Sequence, residues 1–250
     1  MKLLICIKAV LGKVLNENSR EKEKYVINPY DFFALCQTIK MKNDHTEITC
    51  LCMGPIGAKE VLYKCLALGC DHAILLCDSA FAGSDTYATS YILYQAIQKI
   101  DHDFIVCGDR SIDGETGQVA YNLAARKNYL CISDISEFIS NKYGKIKLET
   151  NSSTRKNVIK IAPPAILVCN NWIQETSVSL FALKKAKKNP ITIWGKTDIN
   201  CEVTDIGQTG SKTKVIGTQN IRSKRSSIII DKIENDEVAY VLFNEIKKIV

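Results

Sequence analysis

The chain of 250 residues has no apolar run approaching the roughly 18 residues that a membrane-spanning helix needs, so a helical membrane protein is excluded. Its three histidines are scattered and its eleven cysteines form no CxxC pair, which argues against a zinc site. Most of the cysteines stand inside apolar runs such as Ile48 to Met53, Ile74 to Cys77 and Ile105 to Cys107, where they act as small hydrophobes of a reducing compartment. Met1-Lys2-Leu3 leads straight into a short strand-like run, as expected of an unprocessed cytoplasmic protein; without a signal segment the sequon Asn151-Ser152-Ser153 is idle. Neither a Ser-Gly-Gly phosphate loop nor GxGxxG follows the first apolar run, where Lys8-Ala9-Val10-Leu11-Gly12 stands. That is against an ATP-splitting ligase or pyrophosphatase and against a dinucleotide-dependent dehydrogenase. His45, His72 and His102 lie in polar surroundings beside acids and suggest no Ser-His-Asp triad, so no catalytic residue is assigned. Basic residues interleaved with exposed aromatics, the mark of a nucleic-acid surface, are missing as well.

What is present is 46% hydrophobic content, enough for one large domain, or one domain with an extended arm. Leu3 to Ile7, Ile48 to Met53, Ala73 to Cys77 and Phe104 to Cys107 are near-continuous apolar runs, as in parallel strands covered on both faces. Between them apolar residues recur at helical intervals: Phe32, Leu35, Cys36, Ile39; then Ala58, Val61, Leu62, Cys65, Leu66; then Ala88, Ile92, Ala96. This alternation predicts a doubly wound, mostly parallel α/β sheet with its ligand crevice at the carboxyl ends of the strands. Asn28-Pro29-Tyr30-Asp31 reads as a helix start with Asn28 as N-cap, and Gly83-Ser84-Asp85-Thr86 as another.

After residue 130 the pieces shorten: Ser136 to Ile139, Lys145 to Leu148, Asn157 to Ile161 and Ala165 to Val168 are expected to complete the sheet as antiparallel or edge strands. Thr197 to Ser227 is polar, and Val238, Val241, Leu242 and Ile246 mark a last helix. The expected organisation is a nucleotide-binding α/β domain over residues 1–195 and a C-terminal arm and helix over 196–250.

The segment Cys107-Gly108-Asp109-Arg110-Ser111-Ile112-Asp113-Gly114-Glu115-Thr116-Gly117-Gln118-Val119 leaves a buried run, holds three glycines and enters a helix. Exposed amides in such a place receive phosphate oxygens; Thr116 and Gln118 add neutral hydrogen bonds and Arg110 adds charge. An ordinary glycine-bearing turn fits the local composition equally well. The net charge of +6 has its most visible source at Lys184, Lys185, Lys187 and Lys188, either a solvated helix face or a surface for an acidic partner.

Ile27 to Asp31, Met53-Gly54-Pro55, Ala67 to Asp71, Ala80 to Thr86, Ile112 to Val119 and Lys184 to Lys188 stand in the order and spacing of electron-transfer flavoprotein beta subunits, and the chain resembles that family from about Leu3 to Ile191. The resemblance implies an adenine-nucleotide-hydrolase type fold and a heterodimer with an alpha subunit, which the C-terminal arm would contact. It also implies AMP or a second FAD in this chain, with the electron-carrying FAD held mainly by alpha. By position the nucleotide would lie against Ala9, Asn28, Pro29, Tyr30, Asp31, Met53, Gly108, Arg110, Ser111, Ile112, Asp113, Gly114, Glu115, Thr116, Gly117, Gln118 and Val119. The wording from Asp113 to Val119 looks more like members that carry FAD there and bifurcate electrons. A flavin dehydrogenase, such as an acyl-CoA dehydrogenase, would dock on Leu180 and Phe181 beside Lys184, Lys185, Lys187 and Lys188. The chain departs from the family at Leu11-Gly12 (usually Pro-Asp), at Glu175-Thr176 (usually Pro-Arg) and after Arg155, where Lys156-Asn157-Val158 lacks the usual acid and glycine. A nucleotide-sensing module without redox activity is the rival reading.

Overall fold

The computed structural model describes residues 1–15, 21–152, 154–217 and 235–247. Contacts divide the chain into two units, 1–214 and 215–250. The first contains β1 (Lys2–Ile7), β2 (Ala9–Leu15), β3 (Glu21–Ile27), α1 (Pro29–Lys40), β4 (Glu47–Met53), α2 (Lys59–Leu68), β5 (His72–Leu76), α3 (Thr86–Ile97) and β6 (Phe104–Gly108). It continues with α4 (Val119–Lys127), β7 (Leu130–Lys142), β8 (Lys145–Asn151), β9 (Lys156–Ile161), β10 (Ala165–Cys169), α5 (Leu180–Ala186), β11 (Thr192–Trp194) and α6 (Gly207–Gly210). The second unit contributes α7 (Asn235–Lys247).

Nine strands form one sheet in the order β11-β5-β4-β1-β6-β10-β7-β8-β9. From β11 to β7 every neighbouring pair is parallel; β8 and β9 add antiparallel rungs at the far edge. Successive side chains on a strand point to opposite faces, so an apolar run can serve two cores at once. Leu3, Ile5 and Ile7 of β1 join Phe32, Leu35, Val61 and Leu62 of α1 and α2, whereas Leu4 joins Ile92, Leu93 and Leu123 of α3 and α4. The expected doubly wound sheet is therefore the one observed. Because β4 and β5 extend from one side of β1 and β6 returns to the other, the chain reverses direction between β1 and β6. Crevices open at the carboxyl ends of the strands at such a reversal.

Three features differ from the sequence-based expectation. Strand β10 is central rather than an edge: it lies parallel between β6 and β7, and all five of its residues are buried. Strands β2 and β3, which no sequence pattern announces, pair antiparallel with Ala9 opposite Ile27. Residues 196–214 belong with the first unit instead of an arm: Ile199 and Ile206 are 2% exposed in the α3–α4 core, and Asp85 accepts hydrogen bonds from the amides of Lys212 (2.7 Å) and Thr213 (2.8 Å). Among the described residues no helix is long and apolar enough to cross a membrane.

Candidate functional site

The carboxyl end of β1 passes into Lys8, whose main chain anchors the start of α1. Its carbonyl accepts from the Asn28 amide at 3.0 Å and its amide donates to Asp31 Oδ2 at 2.8 Å. Pro29 occupies the first helical position, as expected. Asn28 precedes it without capping: its buried side chain reaches out of the helix instead, Nδ2 donating to the Arg110 carbonyl at 2.7 Å and Oδ1 accepting from the Ile112 amide at 3.2 Å. Asp31 Oδ1 accepts from the Gly108 amide at 3.2 Å. Two side chains of one helix start thus stitch together the ends of β1 and β6 and the loop that follows β6.

Asp31 is buried, and burial pushes its carboxyl up to about 7 against the pull of the Lys8 and Gly108 amides, the Asn28 side chain and the Lys8 ammonium. Gly108 is needed for contact: a Cβ there would lie 2.4 Å from Asp31 Oδ1 and 2.7 Å from the Tyr30 carbonyl carbon. The helix start and the strand end touch main chain to main chain.

Residues 109–118 form the loop above this junction, and Ile112 through Thr116 are exposed. The Asp109 amide fastens its first residue to the Cys169 carbonyl at 2.9 Å, and the Glu115 amide closes a turn onto the Ser111 carbonyl at 2.9 Å. Glu115 (φ 49°) and Gly117 (φ 61°) are left-handed, giving the loop the alternating backbone in which concave sets of amides arise. The Thr86 hydroxyl, at the start of α3, donates to the Thr116 hydroxyl at 3.1 Å, so a third element borders the loop. Gln118 precedes α4 with its side chain exposed.

Charge is distributed otherwise than expected. Arg110 donates through Nε to its neighbour Asp109 at 2.7 Å and lies 5.9 Å from the Tyr30 ring centroid. Lys8, which no sequence motif marks, donates to Asp113 Oδ1 at 2.6 Å and to Ser111 Oγ at 3.2 Å. Against the opposing effect of partial burial, Lys8 and Ser111 hold the Asp113 carboxyl below its ordinary range. Asp109 and Asp113 partly offset the two cations, so the amides and hydroxyls of the loop share with them the work of receiving an anion here.

The structure therefore brings Asn28, Pro29, Tyr30, Asp31, Gly108, Arg110, Ser111, Ile112, Asp113, Gly114, Glu115, Thr116, Gly117, Gln118 and Val119 to one end of the sheet. Met53 ends β4, the neighbour of β1, and is half-buried; Ala9 is held in the first rung of the hairpin.

The docking candidates lie on another element. Leu180 and Phe181 open α5 and are 84% and 79% exposed, while Ala186 on the same helix is buried. Lys184, Lys185 and Lys188 are exposed; Lys187 pairs with Glu60 of α2 at 2.9 Å. Glu175, one of the departures from the family, is nearly buried. It accepts from the Ile27 amide at 2.8 Å and from the Lys64 ammonium, tying the segment before α5 to β3 and α2.

These features define a class: a doubly wound α/β protein with a glycine-bearing loop over the carboxyl ends of β1 and β6, where the strand order reverses. The chain belongs to the electron transfer flavoprotein family, whose domain matches residues 18–199, and within it the chain is of the beta-subunit type. It is 31% identical to CarD, a subunit of the caffeyl-CoA reductase–Etf complex of Acetobacterium woodii, over 99% of this chain and 98% of that one. It is 30% identical to the electron transfer flavoprotein subunit beta of Clostridium acetobutylicum, covering 97% and 96% of the two chains. To the FixA protein of Sinorhizobium fredii it is 34% identical, over 86% and 81%.

Proposed function

We propose that the chain is the beta subunit of a heterodimeric electron-transfer flavoprotein. It holds AMP or FAD in the crevice between β1 and β6, and with an alpha subunit it carries electrons from a flavin dehydrogenase, such as an acyl-CoA dehydrogenase, to a downstream acceptor. The observation that carries this reading is the loop 109–118, lashed by Asn28 to the start of α1 with Ile112 through Thr116 left open. A rigid base with exposed amides and hydroxyls suits the phosphate and ribose of an adenylate. When bound, the flavin supplies the redox chemistry, and the protein contributes position and electrostatics.

The resemblance of the whole chain to a subunit of a reductase–Etf complex supports an assembly with partners. Leu180 and Phe181 suit the dehydrogenase side: exposed apolar groups amid lysines form the plug-and-rim pattern in which interfaces concentrate their energy. The test is to co-express the chain with its candidate alpha partner and count flavin and AMP per heterodimer. One flavin with one AMP, or two flavins, is the expected result, and the second outcome marks the bifurcating type. An assembly that contains neither adenylate nor flavin overturns the proposal.

A further inference from the structure

If an adenylate occupies the crevice, some group must distinguish its phosphate from a bare nucleoside. Arg110, the cation first expected there, is engaged by Asp109, whose side chain is only 16% exposed, and it also lies over Tyr30. Lys8 is placed differently. Its main chain is fixed at both ends by Asn28 and Asp31, so the side chain springs from a rigid point between β1 and α1. Its ammonium meets Ser111 Oγ and Asp113 Oδ1, and both members of the Lys8–Asp113 pair are about half exposed, at 45% and 48%.

An exposed pair of this kind contributes little, because water screens the attraction and two side chains lose freedom. Its exchange for a doubly charged phosphate, which offers more acceptor oxygens, is favourable. Space is present for that exchange: a Cβ built on Gly114 would stand 3.4 Å from Ser111 Oγ and 3.8 Å from Lys8 Nζ, so a loop face without a side chain lies beside both groups.

We infer that Lys8 is the phosphate-selecting residue of this site: its ammonium exchanges the Asp113 carboxylate for the adenylate phosphate, and Ser111 donates its hydroxyl beside it. The inference rests on the proposed function and adds to it the group that makes the site prefer AMP to adenosine. Asp113 competes with the ligand for Lys8 and thereby sets the affinity.

The test titrates AMP and adenosine into the purified full-length chain by calorimetry, after dialysis to remove bound nucleotide. Lys8→Met is expected to reduce the AMP-over-adenosine preference at least about tenfold, the loss of one charge-assisted contact, and Lys8→Arg to retain most of it. A Lys8→Met protein with the parental preference overturns the inference. Asp113→Asn gives an independent reading in a variant with an exposed substitution: AMP affinity rises severalfold if Asp113 is a competitor, and an unchanged or lower affinity overturns the inference. A parent chain that binds neither compound overturns the inference, while the proposed function is judged separately by the nucleotide and flavin content of the heterodimer; normal AMP binding with an indifferent Lys8 likewise sinks the inference alone.

Discussion

At the scale of single residues the site depends on two buried polar side chains whose partners are main-chain groups. Asp31 has exchanged water for the amides of Lys8 and Gly108, and burial outweighs them, leaving its pKa at about 7 against 3.8 for an ordinary aspartate. Folding therefore takes up a proton at this residue between those two values. Its contribution to stability is full below about pH 3.8 and is lost as the pH rises through about 7. Asp31→Asn cannot lose a proton and should cost about 1 kcal/mol at low pH, from one poorer hydrogen bond. Urea midpoints measured from pH 4 to 8 should then move in the variant's favour as pH rises; parallel curves for variant and parent would refute a raised pKa. Asn28 and Asp31 were both legible in the sequence as helix-start signals, and the helix begins beside them. Their actual bonds were not legible, because the partners at Gly108 and Ile112 come from 77 and 84 residues away and no local rule reaches that far. Lys8 is not legible in the sequence for a related reason: one lysine at the end of an apolar run has no pattern until the loop carrying Ser111 and Asp113 folds over it.

At the scale of elements, the contact between β6 and α1 sets the height of the loop above the sheet. Gly108→Ala would place a methyl group 2.4 Å from Asp31 Oδ1, 2.7 Å from the Tyr30 carbonyl carbon and 2.8 Å from the Asp31 amide nitrogen. Two of these are main-chain atoms that cannot rotate away, so the start of α1 must shift, at a cost of about 1–3 kcal/mol. Gly114→Ala meets only Ser111 Oγ at 3.4 Å and Lys8 Nζ at 3.8 Å, and its effect on stability should be within about 0.5 kcal/mol. Thermal unfolding of the two variants separates a glycine required by packing from one that merely leaves space; equal melting temperatures would contradict the close approach. The central elements were readable because β1, β4, β5 and β6 are covered on both faces and their apolar runs have few other uses. Strand β10 has the same composition, AILVC, yet was expected at an edge. Its place between β6 and β7 is a matter of topology, which the order of strands along the chain does not reveal. The hairpin β2–β3 was hidden by the charged run Glu21-Lys22-Glu23-Lys24, which carries no alternation of apolar and polar residues.

For the molecule as a whole, the reversal of strand order between β1 and β6 makes one end of the sheet the place where loops from distant parts of the chain converge. The segment after β11 takes part in this arrangement, although its composition reads as an arm: most of its residues are polar, and its apolar anchors are few and widely spaced. Ile199 and Ile206 nevertheless enter the α3–α4 core, and Gly207 (φ 58°) brings the chain so close that a Cβ would lie 2.4 Å from the Ala80 carbonyl oxygen. Asp85 completes the attachment, because its carboxylate both caps α3 through the Ala88 amide at 2.9 Å and accepts from Lys212 and Thr213. A chain ended after Gly195 loses two isoleucines worth about 1.5–3 kcal/mol each on burial, and leaves part of the α3 face open to water. A chain ended after Lys214 keeps both. The first should therefore unfold at a clearly lower urea concentration than the second, with the loss falling on α3 and on the Thr86–Thr116 contact that borders the loop. Hydrogen exchange of the α3 amides follows that loss directly: faster exchange only in the shorter chain would show that residues 196–214 hold α3 in place beside the loop, and equal protection in both chains would show that α3 stands without them.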